Sequence, residues 1–507
     1  MIEGRTKNSI KNISYSYLGQ LINILLKFIV RSFFVKILST EYLGLNGLFG
    51  NILTFLSFAE LGIGSAITYN LYIEIAKDNK IRIKQLMKLY KTAYLIIGCF
   101  VLIIGASITP FLNYFIADDT AIPNLNLIYL MFVINSGTSY FFSYKASFIT
   151  ANQKNYIVTN IILISNIIIA IMQLVILLFT KNYIAYLLIQ IIVVLISNVV
   201  MASIADKRYP ILREKSEGKL DDTSKHTIIQ NVSAAVFHKI GGIVVFSTDN
   251  ILMSKLFGLI QVGLYSNYTL ITKTLSGIIS QFFVSITASI GNLCAEESQV
   301  KKVNIFYVTE YINFVIYSFC SICVFELLEE FICLWLGNEY LMDKYIIYFL
   351  SINFYLEGMR STVGIFNVAQ GLARFYKYMP IFECTINLCT SIILGKLIGP
   401  VGILIGTTIS TLTTCFWIEP KILYKYGFEA KIKTYYIAYL KYLMITILIL
   451  SMTHCINHFI ITDFPIINLA LHGCVCVGIF AFIVCLFSRK TEEFKYLVAT
   501  LKKIIGK

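Results

Sequence analysis

The stretches KILSTEYLGL at residues 36–45 and KLFGLIQVGL at residues 255–264 decide the fold of this chain. Each lies near the end of a long apolar segment and carries a lysine followed eight residues later by Gly-Leu, and the two stretches are 219 positions apart. Two further matches keep this register, namely Ile67-Thr68 with Ile286-Thr287 at a step of 219 and Lys154-Asn155-Tyr156 with Arg374-Phe375-Tyr376 at a step of 220. Matches in one register at equivalent span ends indicate a duplicated helical bundle, which is typical of secondary transporters.

The composition is that of a membrane protein. Apolar residues make up 57% of the chain and charged residues only 14%, whereas a soluble domain carries about 25% charged residues. Apolar runs that reach the roughly 20 residues of a membrane-crossing helix recur throughout, and they do not alternate as barrel strands would. We therefore predict an all-α polytopic membrane protein with about 14 transmembrane helices.

The predicted spans divide the chain into four parts. We place the spans at 13–37, 44–68, 90–113, 125–149, 157–179, 183–204, 234–257, 262–291, 305–327, 345–369, 378–397, 399–418, 435–457 and 464–487. Residues 1–204 and 234–418 form an N-lobe and a C-lobe of six helices each, 205–233 form a cytoplasmic linker loop, and 419–507 hold the last two helices and a cytoplasmic tail. Because six is an even number, both lobes insert with the same orientation, so the repeat is parallel.

The positive charge predicts the topology. Lysine and arginine concentrate in the segments 77–91, 207–225, 421–433 and 489–507, while the opposite side carries few basic residues. By the positive-inside rule both termini are cytoplasmic. The net charge of +14 is then explained by topology and by contact with anionic lipid headgroups, so a nucleic-acid partner is not needed.

Several charges fall inside predicted spans of the first half. Lys27 and Arg31 are four residues apart in the first span and share a helix face, which predicts that they line a cavity; the alternative for Lys27 is snorkelling. Glu60 interrupts the second span, where it would neutralise Lys27 or Arg31 or carry a coupling proton. Asp249 in the seventh span has either a structural hydrogen-bonding role or a transport role.

The second half contains a similar set. Lys273 lies in the middle of the eighth span and Arg360 in the middle of the tenth, where Glu357 is three residues away and suited to pair with Arg360. Lys239 and Glu383 lie nearer span ends, and snorkelling accounts for them. The predicted cationic lining by Lys27, Arg31, Lys273 and Arg360 suits an anionic substrate, since arginine binds phosphate in a forked geometry.

Metal, cofactor and nucleotide sites are not predicted. The 12 cysteines lie mostly in apolar runs, and Cys320-x-x-Cys323 lacks companion ligands. The chain has no G-x-x-x-x-G-K-[ST] loop, so we expect no direct use of ATP and no cofactor. The outer loops are too short for the catalytic groups of a membrane-embedded polymerase or glycosyltransferase, so we expect no enzyme.

An ordered set of strings resembles a known family. The strings are YLGLNGLFGNILTFLSFAELGIGSAI at 42–67, STDNILMSKLFGLIQVGLYSNY at 247–268, LWLG at 334–337, GIFNVAQGLARFYKYMPIFECTINLCTSI at 364–392 and GPVGILIGTTIS at 399–410. They resemble Wzx-type polysaccharide or O-antigen flippases of the multidrug/oligosaccharidyl-lipid/polysaccharide (MOP) exporter superfamily. The resemblance covers nearly the whole chain and implies a MATE/MurJ-like fold of two lobes.

The resemblance also implies a function. It implies a flippase that moves undecaprenyl-pyrophosphate-linked oligosaccharide repeat units across the bacterial cytoplasmic membrane, for capsule, O-antigen or exopolysaccharide synthesis. Two lobes would rock about a central cavity, with Lys27, Arg31, Lys273 and Arg360 as candidates to bind the diphosphate and Glu60, Asp249 and Glu357 as charge-balancing or ion-coupling groups. Expected partners are membrane lipids, a polysaccharide polymerase and a chain-length regulator, with the chain itself a monomer.

Two alternatives share this fold. A MATE-like exporter of drugs or metabolites would carry an acidic or aromatic binding lobe, and twelve spans would suit it better than fourteen. A peptidoglycan lipid II flippase would share both the fourteen spans and the cationic cavity. The coupling ion, if any, is left open between proton and sodium.

Overall fold

The protein is helical throughout the part of the chain that the computed structural model describes, which comprises residues 2–60, 63–117, 122–214 and 222–505. The helices up to the middle of the chain are α1 Ile2–Ile37, α2 Thr40–Leu56, α3 Ile63–Ala76, α4 Lys80–Ile108, α5 Leu125–Ala151, α6 Asn155–Thr180, α7 Tyr183–Arg208 and α8 Asp222–Glu296. Those that follow are α9 Gln299–Leu336, α10 Lys344–Met359, α11 Ser361–Ala369, α12 Met379–Ile398, α13 Val401–Thr413, α14 Cys415–Ile422, α15 Lys433–Phe459, α16 Pro465–Ser488 and α17 Glu492–Ile505. The predicted all-α class is confirmed.

The helices match the length of a bilayer. Ten segments of the described chain are long and apolar enough to cross a membrane, so this is a multi-pass membrane protein. One of them, Ser247–Glu296, is 50 residues long and spans two predicted segments; Gly258 interrupts it with a φ of 85°, which favours glycine because it has no Cβ. The count of fourteen stays a prediction.

The chain divides into two compact units, Met1–Gly263 and Leu264–Lys507. The two lobes predicted at 1–204 and 234–418 have other boundaries than these units and stay a prediction. The loop predicted at 205–233 is wrong at both ends, because α7 continues to Arg208 and α8 already begins at Asp222. The ion pair between Lys145 Nζ and Asp206 Oδ2, 2.7 Å long, ties the polar end of α7 to α5 and lets the helix extend beyond its apolar part.

In the first unit, the repeated glycines pack α2 against α8. A Cβ atom on Gly44 would overlap the carbonyl oxygen of Leu259, and one on Gly263 would overlap the carbonyl oxygen of Thr40. Gly50, six residues further along α2, has open space in that direction. Small residues allow membrane helices to approach this closely. The glycines that revealed the repeat therefore each contact the segment that contains the other.

In the second unit, α9 is the central helix. Asn313 Nδ2 donates to the carbonyl oxygen of Gly358 at 3.0 Å on α10, and the hydroxyls of Ser318 and Thr446 lie 2.8 Å apart between α9 and α15. Buried aromatic rings surround Phe306, including Phe366 at 5.3 Å and Phe428 at 5.2 Å between centroids. Polar contacts thus set the register of helices that an aromatic core holds together.

Candidate functional site

On α1, Lys27 and Arg31 lie on a different face of the helix from a row of exposed leucines. Leu18, Leu21 and Leu25 are exposed by 56%, 56% and 63% and lie along one face of α1. At about 100° per residue, Lys27 lies about 200° around the helix from Leu25, and Arg31 follows it one turn later. The apolar row suits lipid contact, so Lys27 and Arg31 point away from the face that lipid would cover.

Neighbouring helices provide polar and aromatic contacts on the cationic side of α1. Asn166 Nδ2 on α6 donates to Asn23 Oδ1 at 3.0 Å, and the Phe34 ring lies 5.3 Å from that of Tyr186 on α7. Arg31 is half-buried and interacts electrostatically with Tyr186. Lys27 is exposed and has no carboxylate partner in the described part of the chain. The predicted shared face of these two cations is therefore consistent with the structure.

Glu60 lies where the second predicted span breaks. α2 ends at Leu56, a 3₁₀ turn covers Ser57–Glu60, and α3 begins at Ile63. Tyr94 Oη on α4 donates to Glu60 Oε1 at 2.6 Å. One oxygen of the Glu60 carboxylate therefore has a tyrosine as its partner, and the neutralisation of Lys27 or Arg31 by Glu60 stays a prediction.

A glycine makes this tyrosine contact feasible. A Cβ atom on Gly64 would overlap Tyr94 Oη and approach Tyr90 Oη to 3.2 Å. Tyr90 Oη in turn donates to Ser147 Oγ on α5 at 2.9 Å, and the two tyrosine rings lie 4.8 Å apart. Glu60, Tyr94, Tyr90 and Ser147 thus form a row of polar side chains that runs from the 3₁₀ turn across α4 to α5.

Asp249 belongs to a buried polar group in α8. Ser247, Thr248, Asp249 and Asn250 are all less than a tenth exposed. Asn250 Nδ2 lies 3.8 Å from where a Cβ of Gly47 would be, which places this group against α2. Its burial among packed helices fits the structural reading that the sequence left open for Asp249.

Arg360 is the centre of an ion network in the second unit. Its Nη2 and Nε donate to the two oxygens of Glu419 at 2.8 and 3.2 Å, and its Nη1 donates to Glu383 Oε1 at 3.3 Å. Both carboxylates are buried, with side-chain exposures of 8% for Glu383 and 10% for Glu419. The bidentate contact matches the fork of a guanidinium group to a carboxylate, so most of the donors of Arg360 are occupied within the protein.

Two expectations about this network are corrected. Glu357 was expected to pair with Arg360 but makes no direct ion pair in the described residues, since Glu419 and Glu383 already occupy the guanidinium group. Glu383 was expected to snorkel to the interface. It is instead buried on α12, where Arg360 supplies the compensating charge that an acid at this depth requires. Lys239, for which snorkelling was also expected, lies outside the residues whose side chains the structure describes.

Lys273 and Glu357 lie near this network. Glu357 is exposed and interacts electrostatically with Arg360, Lys273 and Glu383. Lys273 is exposed on a face of α8 whose other members are small, namely Ser266, Thr269, Gly277 and Ser280. The second unit thus gathers two cations and three carboxylates, counting Glu419, so the carboxylates outnumber the cations here.

Sequence reasoning missed two buried acids. Glu419 was placed just beyond the predicted twelfth span, although the helical segment continues through Pro420 to Ile422. Glu310 lies within the predicted ninth span and is 1% exposed. Glu310 lies only five residues inside the predicted span, so depth alone does not single it out, and its burial follows from the packing around α9.

Comparison with known proteins decides the family. Residues 9–289 match the model of a family described as polysaccharide biosynthesis protein, which is more than half of the 507 residues. The chain belongs to this family. The matched range of the polysaccharide biosynthesis protein includes Lys27, Arg31, Glu60, Asp249 and Lys273. No curated protein matches the chain.

Solved structures share the fold of this polysaccharide biosynthesis protein. A lipid II flippase MurJ in an inward closed conformation has a TM-score of 0.65 and 15% identity, covering 94% of this chain and 99% of its own. An inward-facing multidrug resistance MATE family transporter of the MOP superfamily has a TM-score of 0.62 and 14% identity, covering 82% and 98%. A MOP superfamily transporter from Pyrococcus furiosus has a TM-score of 0.52 and 12% identity, covering 82% and 94%. The expected MATE/MurJ-like fold is confirmed.

Proposed function

We propose that this polysaccharide biosynthesis protein flips undecaprenyl-pyrophosphate-linked oligosaccharide units from the cytoplasmic to the outer leaflet of a bacterial cytoplasmic membrane. The observation that carries the proposal is the family match over residues 9–289. The substrate of such a flippase has a sugar headgroup and a diphosphate, which need a hydrated, basic path, while its prenyl tail stays in lipid. A multi-pass membrane protein with cations on non-lipid faces of its helices fits that requirement.

The cations differ in the roles we assign to them. Lys27, Arg31 and Lys273 would bind the diphosphate, since the two lysines are exposed and Arg31 shares the face of Lys27. Arg360 would hold Glu383 and Glu419 in place rather than bind substrate, because these carboxylates occupy its donors. Glu357 would balance the charge of Lys273, while Glu60 and Asp249 would maintain the helix contacts on which the path depends.

Topology and partners follow from the same proposal. Both termini would lie in the cytoplasm, where the basic segments are concentrated. Residues 1–204 and 234–418 would act as the two moving lobes of an alternating-access cycle, each with six helices. The protein would work as a monomer beside a polysaccharide polymerase and a chain-length regulator, which use the exported units.

Deletion of the gene tests the proposal. The deletion strain should lose its surface polysaccharide and accumulate lipid-linked repeat units on the cytoplasmic side of the membrane. Complementation with Lys27→Gln should restore less polymer than complementation with Lys36→Gln, a matched control that changes a lysine at the end of the same helix. Normal surface polymer in the deletion strain would refute the flippase proposal.

The charge balance of the second unit favours a second candidate, export of lipophilic cations. Glu357, Glu383 and Glu419 outnumber the cations near them, and an acidic lobe is what a cation exporter would carry. Proteoliposomes that accumulate a fluorescent lipophilic cation, and lose this activity in Glu357→Gln, would support this function. Flipping of lipid II would be recognised separately, by rescue of a strain that lacks its lipid II flippase.

A further inference from the structure

Glu310 is the most deeply buried acid of the second unit and takes no part in the ion network. It lies on α9 with 1% of its surface exposed. In the described part of the chain, neither of its carboxylate oxygens accepts a hydrogen bond of normal length and angle, and no lysine, arginine or histidine lies within ion-pair distance. A buried acid of this kind differs from Glu383 and Glu419, which Arg360 compensates.

The surroundings of Glu310 are rich in hydroxyl groups. Thr362 on α11 faces the carboxyl group, and in the described chain its hydroxyl is buried without a hydrogen bond of normal length and angle. The titratable groups that face Glu310 from the packed elements are Tyr355 on α10, Tyr424 in the π-helical turn Leu423–Phe428, and Tyr435, Tyr439 and Tyr442 on α15. Among the described residues, the buried hydroxyls of Tyr355 and Tyr439 likewise make no hydrogen bond of normal length and angle. Several polar atoms therefore converge on one carboxyl group.

The energetics favour a neutral carboxyl group in this state. Burying an ionised carboxylate without a compensating charge costs several kcal/mol. A protonated carboxyl group avoids most of this cost and can also donate its O–H to a hydroxyl such as that of Thr362. We propose that Glu310 is a proton-binding site that is occupied in this conformation and releases its proton in another.

A route for the proton leads to a cavity lined by two of these tyrosines, Tyr424 and Tyr442. The cavity has a volume of about 480 Å³, and its lining includes Tyr307, Tyr311, Tyr424 and Tyr442 together with Lys431 and Lys441. Tyr424 Oη donates to Tyr307 Oη at 2.9 Å. In the predicted topology Lys431 is cytoplasmic. Release transfers one proton from the carboxyl group to a water molecule of the cavity, which leaves a carboxylate and a hydronium ion.

Two tyrosines connect Glu310 to the ion network. Tyr435 interacts electrostatically with both Glu310 and Glu419. Tyr435 and Tyr439 also line a small enclosed space together with Arg360 and Glu419. A negative charge on Glu310 would attract the hydroxyl proton of Tyr435 away from Glu419, which leaves more of the negative charge of Glu419 to bind Arg360. This link between protonation and translocation rests on the proposed function, whereas the proton site itself does not.

Infrared spectroscopy of the purified full-length protein tests the site. At neutral pH the wild type should show the carbonyl stretching band of a protonated carboxylic acid, and this band should be lost in Glu310→Gln. The matched control is Glu326→Gln on the same helix, whose carboxylate is already bonded to His454 and Asn457 and should not contribute to the band. Thr362→Val should shift the band without removing it, since the carboxyl group then loses its hydrogen-bond acceptor.

The outcomes separate the two proposals. An unchanged band in Glu310→Gln would overturn the proton site, and a band seen only in sodium-free buffer would replace the proton with a sodium ion. In proteoliposomes, flipping of lipid-linked oligosaccharide by the wild type should depend on pH, and Glu310→Gln should lose that dependence. Retained pH dependence would overturn the link to translocation alone. Absence of flipping by the wild type, with the infrared result intact, would refute the proposed function and leave the proton site standing.

Discussion

Lys27 in the first unit and Arg360 in the second unit occupy similar places in the sequence but have opposite surroundings. Both are cations near the middle of a predicted span. Lys27 is exposed and has no carboxylate partner among the described residues, whereas two buried carboxylates hold Arg360. The depth of a cation within an apolar segment therefore shows that it needs either a carboxylate partner or contact with water. It does not show which of the two the protein provides.

The largest expected effect comes from removing the compensated cation. Arg360→Met should lower the free energy of unfolding by about 3–5 kcal/mol, because it leaves the carboxylates of Glu383 and Glu419 buried without a partner. Thermal melting of the detergent-solubilised protein measures this loss. Glu383→Gln with Glu419→Gln in the Arg360→Met background should recover part of the stability. An Arg360→Met protein that melts at the wild-type temperature would show that the ion network does not stabilise the fold.

The next effect concerns the glycine pair that marks the repeat. Gly44→Ala should destabilise the protein by about 2 kcal/mol, since the added methyl group overlaps the backbone of α8 and forces the helices apart. Gly50→Ala is the matched control in the same helix, and its open surroundings predict unchanged or slightly raised stability. Equal melting temperatures for the two variants would contradict the close packing of α2 on α8.

A smaller loss of stability is expected at Glu60, which accepts a hydrogen bond from the hydroxyl of Tyr94. Tyr94→Phe removes the hydrogen bond to Glu60 and should cost about 1.5 kcal/mol, the lower end for a bond to a charged group. Tyr69→Phe on α3 is the control, because Tyr69 is 61% exposed. If Tyr94→Phe melts like Tyr69→Phe, the Glu60 contact does not stabilise the break between α2 and α3.

The smallest effect on stability should come from the exposed cation. Lys27→Gln should change the free energy of unfolding by less than about 0.5 kcal/mol, as is usual for exposed positions. Flipping of lipid-linked oligosaccharide by the same variant in proteoliposomes should nevertheless fall well below that of Lys36→Gln. A Lys27→Gln protein that is both stable and fully active would remove Lys27 from the proposed substrate path.

Some of the packing was readable in the sequence because close contacts leave a local trace. Gly44 and Gly263 are equivalent positions of the repeat, and each lies where α2 and α8 approach too closely for a Cβ atom. The break near Glu60 also has a local trace, since Glu60 interrupts an apolar run and Gly62 and Gly64 follow it, and in the structure α3 begins at Ile63. The hydrogen bond from Tyr94 to Glu60 left no such trace, because Tyr94 lies 34 residues further along the chain.

The sequence by itself determined the membrane class, the approximate ends of the helices and the positions of most intramembrane charges. These are local properties, because the thickness of the bilayer sets the length of each apolar run. Only the tertiary structure decided which charges are compensated. Arg360 meets Glu383 and Glu419 at 23 and 59 residues along the chain, and Glu310 meets no cation at all among the described residues. An ion pair depends on which helix faces pack together, and no local pattern in the chain records that choice.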